Sequence, residues 1–203
     1  MTDKLKKLSS YLLVLVVALI LGFAPVAEKK ILTIRWGDLG LRLVEAGVID
    51  PQKFPDFYRE EELAITPENS KIVLNTLWAF GLANQNEVLE KGPMMDPQYG
   101  GADRFASTGG WTLGVGHAMN HFSMHEFFKL SPEEQALVEK TAKNIYRPCC
   151  GNSAYFPDCN HGMAMLGLLE LMAREGWSEE EMYKMAEKAN EYWFPKLEAN
   201  CGA

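Results

Sequence analysis

Apolar residues along the chain occur first as one unbroken block and then as spaced stripes. Residues 8–27 contain no charge. About 20 residues at about 1.5 Å each reach about 30 Å, the hydrocarbon thickness of a bilayer. Lys4, Lys6 and Lys7 precede the block, which puts the N-terminus in the cytoplasm and the rest of the chain outside it. The pattern therefore predicts a transmembrane helix within residues 1–30 that anchors the chain in a membrane. A cleaved signal peptide, with its apolar region at residues 11–23, is the alternative, and Pro25 after Ala24 makes a poor cleavage site. Residues 31–203 then form one extracytoplasmic helical domain, at the cell surface or in the periplasm.

Within that domain the spacing predicts helices. Ile34, Trp36, Leu39, Leu43 and Val44 make one stripe, ended by Gly47. Asp50-Pro51 and Thr66-Pro67-Glu68 read as the starts of two more, because proline is tolerated in the first helical turn. The second runs to about Leu82, with Ile72, Val73, Thr76, Leu77 and Phe80 on one face. Residues 92–110 carry five glycines and two prolines and read as an irregular loop that needs a packing or binding reason to stay ordered, against the cysteine-bearing segment that follows. Helical character returns over residues 111–128. Ser131 and Glu134 form a capping box for a helix through about Tyr146, and Ser178 and Glu181 repeat it for a last helix that ends before Pro195. Asn160 is the expected N-cap of the helix between these two. No long alternating pattern argues for a sheet, so the fold class is mostly α: a transmembrane helix, then a compact helical domain with a long irregular loop.

Charge narrows the functional classes. The formal net charge is −7 and no Lys/Arg cluster follows Lys30, which excludes a nucleic-acid partner. The candidate chemistry lies in Cys149, Cys150, Cys159 and His161. Cys159 and His161 flank a helix start, where the helix dipole favours a thiolate. Three thiolates and an imidazole are the ligand set of many zinc sites, of some iron–sulfur clusters and of soft copper sites. The leading reading is a membrane-anchored, extracytoplasmic metal-binding or redox protein holding copper or an iron–sulfur cluster at these four residues. A second is a non-enzymatic structural or interaction domain with disulfides: Cys201 brings the cysteines to four, which allows three pairings. A vicinal Cys149–Cys150 bridge would be strained, so each would pair with Cys159 or Cys201. A third is a thiol–disulfide oxidoreductase, although no CxxC occurs. His117, His121 and His125 recur every fourth residue, which would set neighbouring imidazoles on one helical face. The ten methionines could add thioether ligands for Cu(I), or simply fill a core. No Walker A loop, GxSxG elbow, HExxH or CxxCH haem motif is present. The sequence names no catalytic residue, substrate or protein partner.

Cys150, Ser153, Pro157 and Cys159 keep the spacing of the CDGSH (mitoNEET-like) iron–sulfur motif, Cys-x-Cys-x2-Ser/Thr-x3-Pro-x-Cys-Asp-Gly-x-His, and the segment resembles that family over about a dozen residues. The resemblance implies a cluster ligated by Cys150 and Cys159, with Cys149 third and His161 fourth. Here Cys149 adjoins Cys150 rather than preceding it by two, and His161 follows Cys159 by two rather than four. More broadly, "FASTGGWTLG", "NIYRPCCGNS" and "FPDCNHGMA" are similar to blocks shared by a group of uncharacterised prokaryotic proteins. That similarity implies that the Gly109-Gly110-Trp111 loop and the cysteine segment belong to one fold.

Overall fold

In the computed structural model, which describes residues 32–195, the first predicted helix divides. Thr33, Ile34, Arg35 and Trp36 alternate exposed and buried, the period of a strand rather than a helix. They lie in and just beyond strand β1 (Leu32–Arg35), which pairs antiparallel with β2 (Glu62–Ile65) so that Ile34 opposes Leu63. Gly37, at φ +60°, breaks the strand, and helix α1 (Leu39–Glu45) follows. The mostly helical domain thus also holds a small two-stranded sheet, which the sequence pattern did not signal. Asp50-Pro51 opens a turn and not a helix: Asp50 accepts from the amides of Gln52 and Phe54, and Pro55 allows no continuation.

Helix α2 (Ser70–Ala83) starts later than the Thr66-Pro67 signal. Thr66 and Asn69 exchange side-chain to backbone hydrogen bonds of 2.9 and 3.3 Å, which closes a turn ahead of the helix. Short helices α3 (Glu87–Lys91) and α4 (Ala106–Gly109) follow, then α5 (Pro132–Asn144), α6 (Asn160–Arg174) and α7 (Glu179–Trp193). Both expected capping boxes are present, at Ser131/Glu134 and Ser178/Glu181.

Helix α6 is buried continuously from Gly162 to Ala173, and Glu170 is the one polar residue in that stretch. It crosses α2 backbone against backbone. A Cβ on Gly81 would lie 2.3 Å from the Met163 carbonyl oxygen, and one on Gly167 would lie 2.8 Å from that of Leu77. Helices α5 and α7 pack against α6. Glu170, fully buried on α6, accepts from Asn84 Nδ2 at 2.6 Å. Burial pushes its carboxyl up to about 8, against the pull of Asn84 and Asn86, so it is neutral at pH 7. Asn84 Oδ1 in turn accepts from the Phe127 amide at 3.1 Å, which ties the residues after the last histidine to both central helices.

The 92–110 loop is ordered as three single 3-10 turns (Pro93–Met95, Pro97–Tyr99, Ala102–Arg104) and α4. It lies against the cysteine segment, as expected: Tyr99 packs tilted and Phe105 edge-on against Phe156, and the Ser107 amide donates to the Asp158 carbonyl at 3.1 Å. Residues 111–128 depart from the helical expectation and hold only a 3-10 turn at Ala118–Asn120. Their backbone groups are committed elsewhere. Val115 donates to Gly47, Ser123 to Leu82 and His125 to Ala83, while Gly114 lies where a Cβ would meet the Val48 oxygen at 2.7 Å.

Among the described residues no helix is long and apolar enough to cross a membrane, and the 8–27 block lies outside the described residues. On that finding the expectations of a transmembrane helix, a membrane partner and an extracytoplasmic location are corrected. The fold class that stands is a mostly helical one.

The α2–α6 crossing leaves no room for a methyl group. Gly81→Ala should lower stability by about 1–3 kcal/mol or more, the range for overpacking a close-packed core, measured as a reduced urea midpoint. An unchanged midpoint would show that the two backbones do not approach this closely.

Candidate metal centre

The cysteine segment is a turn folded back on the start of α6. After α5, Tyr146 and Ser153 pair in an isolated antiparallel bridge. The Arg147 amide donates to the Asn152 oxygen at 3.0 Å, and the Gly151 amide to the Arg147 oxygen at 2.9 Å. Pro148, Cys149 and Cys150 form the tip, closed by Gly151 at φ +70°, a conformation that favours glycine. Both tip cysteines are exposed, while Cys159, in the N-cap position of α6, is half-buried. Asn160, the expected N-cap, is instead the first helical residue.

Arg147 organises this turn. Only 1% of it is exposed, and a buried guanidinium needs acceptors for its donors. Nε donates to the Asn152 oxygen at 3.2 Å, Nη2 to the Phe156 oxygen at 2.8 Å and to Asp158 Oδ1 at 2.5 Å, and Nη1 to Cys159 Sγ at 2.7 Å. Burial works against its charge. The neighbouring Cys159, Asp158 and Cys150 groups outweigh that penalty and hold its pKa above the ordinary value. Gly162 makes the space, since a Cβ there would lie 2.9 Å from Nη1. Asp158 is further fixed by Asn152 Nδ2 at 3.0 Å.

The ligand candidates converge around Cys159. Cys149, Cys159 and His161 have ligand atoms within 4.8 Å of one another, and so do Cys150, Asp158 and Cys159. The Cys149 and Cys150 sulfurs are 3.8 Å apart, so all three sulfurs lie pairwise within 4.8 Å. No single group of this size contains both Cys150 and His161. Burial, then the Cys159 and Cys150 sulfurs, push the Cys149 thiol up to about 12. His161 sits on the Phe194 ring at 4.2 Å between centroids. Burial, then the Arg147 charge, lowers its pKa to about 4, so it is neutral at pH 7. Its Nδ1 faces Asn160 Oδ1 at 2.9 Å.

Other sequence candidates fall elsewhere. Cys149, Cys150 and Cys159 are free thiols, so no disulfide joins the described cysteines, and Cys201 lies outside the described residues. His121 Nδ1 faces His125 Nε2 at 3.0 Å and His121 Nε2 faces the Val115 oxygen at 2.9 Å. These two are therefore a hydrogen-bonded stack and not a chelate. Burial, then His121, lowers the His125 pKa. His117 accepts from the Met119 amide. Met94, Met163 and Met165 are buried in the core. Sequence reasoning missed Arg147 altogether: its burial depends on Gly162, fifteen residues on, which only the fold sets against it.

Compared with known families, with curated proteins and with solved structures, the chain matches none. The site therefore stands on its own chemistry: sulfur and nitrogen donors near enough to hold a metal ion, with a fixed N–H donor on the shared sulfur.

Removing the cation should expose its structural weight. Arg147→Met removes the cation that pairs with Asp158 and also donates to the Phe156 and Asn152 carbonyls, and should cost about 3–5 kcal/mol, as for breaking a buried pair. Cys149→Ser at the exposed tip should stay within about 0.5 kcal/mol. Chemical denaturation of metal-free protein measures both, and equal midpoints for the two variants would contradict the role given to Arg147.

Proposed function

We propose that this is a metal-binding domain whose Cys149, Cys150, Cys159 and His161 hold one thiophilic transition-metal ion, with zinc as the best fit. The observation that carries the reading is the convergence of three free sulfurs and one neutral imidazole around Cys159. Ligands about 2.3 Å from an ion at tetrahedral angles stand about 3.8 Å apart, the separation of the Cys149 and Cys150 sulfurs. Three cysteines and one histidine are a recurrent zinc set. Charge favours a divalent ion over Cu(I): three thiolates and the Asp158 carboxylate, set against the Arg147 guanidinium and the ion, leave one negative charge with a divalent ion and two with Cu(I). A multi-iron cluster spreads its ligands around two or more irons, which a grouping within 4.8 Å does not favour. The Arg147 N–H on Cys159 Sγ is the outer-shell partner that orients a ligand and tunes its basicity. A small movement of the exposed tip would bring Cys150 and His161 onto the same ion. Bound there, the ion would fasten the tip of the turn to the start of α6, at a surface position open to metal exchange.

Reduced, metal-free protein titrated with Zn(II) should bind one equivalent, and Co(II) should give the visible bands of a tetrahedral thiolate site. Removing an outer-shell partner typically costs 10–100-fold in affinity. Cys159→Ser and His161→Ala, which remove ligands, should therefore weaken Zn(II) binding by about 100-fold or more. The Cys149 thiol is protonated at pH 7 and must lose its proton to ligate, whereas His161 is already neutral. Affinity should therefore rise with pH, by about tenfold per unit for each proton released, and binding should release at least one proton. Calorimetry in buffers of different ionisation enthalpy measures this. No bound Zn(II), or binding unchanged in both variants, would contradict the proposal.

A further inference from the structure

The shared sulfur, Cys159, has the surroundings of a reactive thiol as well as of a ligand. It occupies the N-cap position of α6, a 15-residue helix, and its side chain makes no capping hydrogen bond. The positive end of the helix dipole lies beside the sulfur without engaging it. A fixed guanidinium donor, Arg147 Nη1, lies 2.7 Å away. Reactive cysteines occur in such electropositive, partly exposed settings, and oxidant-sensing ones stand next to a second thiol that resolves the oxidised sulfur. Here there are two such neighbours, Cys149 and Cys150, each with its sulfur within 4.8 Å of the Cys159 sulfur. Both sit on an exposed tip, where the Cβ position of Gly151 meets nothing within 4 Å. Both tip thiols are exposed, so a shift of the tip toward Cys159 displaces solvent and no core side chain.

We infer that Cys159 reacts with hydroperoxides and is resolved by Cys149 or Cys150, so that the metal centre is also an oxidation switch. The Cys159 thiolate attacks one oxygen of the hydroperoxide. An S–O bond forms, the O–O bond breaks, and the departing alkoxide or hydroxide takes up a proton and leaves as alcohol or water. The tip thiol then attacks the sulfur of the resulting sulfenic acid. An S–S bond forms, and the hydroxyl leaves as water with the proton of that thiol. The sulfur pair has lost two electrons and the peroxide has gained them. A low-molecular-weight thiol reverses the step by thiol–disulfide exchange. The oxidised form has two fewer thiolates for an ion and releases it, a consequence that rests on the metal-binding reading; the thiol chemistry does not.

The test uses full-length Cys201→Ser protein, stripped of metal and treated with one equivalent of hydrogen peroxide. The expected result is the loss of two thiols per chain and a disulfide from Cys159 to Cys149 or Cys150 on peptide mapping. Peroxide consumption should be at least tenfold faster than that of the same protein carrying Cys159→Ser. With Cys149→Ser and Cys150→Ser combined, both changes being on the exposed tip, a sulfenic acid at Cys159 should be trapped by dimedone. Oxidation no faster than in the Cys159→Ser protein, a Cys149–Cys150 disulfide as the product, or a dimedone adduct absent from Cys159 would each overturn the inference. In a parallel arm, Zn(II)-loaded protein should release its ion on oxidation, followed with a chromogenic chelator. Protein that oxidises as described but never binds Zn(II) removes the metal reading alone. Protein that binds Zn(II) but reacts as an ordinary thiol removes this inference alone.

Discussion

The contact of α2 with α6 through Gly81 and Gly167 is the constraint from which the rest of the arrangement follows. With no side chain at either position, the two backbones meet directly, and α6 runs buried along most of its length. A helix held this way has a fixed first turn. That turn carries Cys159 at its cap and His161 within it, so two of the candidate ligands are positioned by the core and not by a loop. Glu170, neutral at pH 7 and bonded to Asn84, fixes the middle of the same helix to the end of α2.

The other two ligands depend on a buried charge. A guanidinium taken out of water is costly unless its donors are satisfied. The donors of Arg147 are met by Asn152, Phe156, Asp158 and Cys159 in the space that Gly162 leaves. Satisfying them bends the chain so that Pro148, Cys149 and Cys150 project over the start of α6. Under the two readings proposed above, the same guanidinium would act on function twice: its N–H on the Cys159 sulfur would hold a ligand in place, and its charge would sit beside a nucleophile. An ion and an oxidant would then compete for one set of thiols.

Features that depend on neighbours in sequence were legible. The capping boxes at Ser131 and Ser178, the ends of α5 and α7 and the nearness of Cys149, Cys159 and His161 all follow from local pattern. Features that depend on distant partners were not. Ile34 and Trp36 fit a helix stripe loosely and a strand well, and only pairing with Leu63 in β2 decides between them. Residues 111–128 have helical spacing, yet their amides bond to Gly47, Leu82 and Ala83, so the histidines meet as a stack off any helix. The membrane reading drew on residues 8–27, outside the described region, and none of the described helices supplies an apolar span of its own. Arg147 was overlooked because an arginine in a turn ordinarily signals solvent, and its burial appears only once Gly162 is seen facing it.

X-ray absorption at the zinc edge of Zn(II)-loaded protein tests the central claim most directly. The account predicts a single ion with a shell dominated by sulfur at about 2.3 Å and one nitrogen at about 2.0–2.1 Å, and no metal–metal scattering. A shell of oxygen and nitrogen alone, or a metal–metal distance showing a cluster, would contradict it.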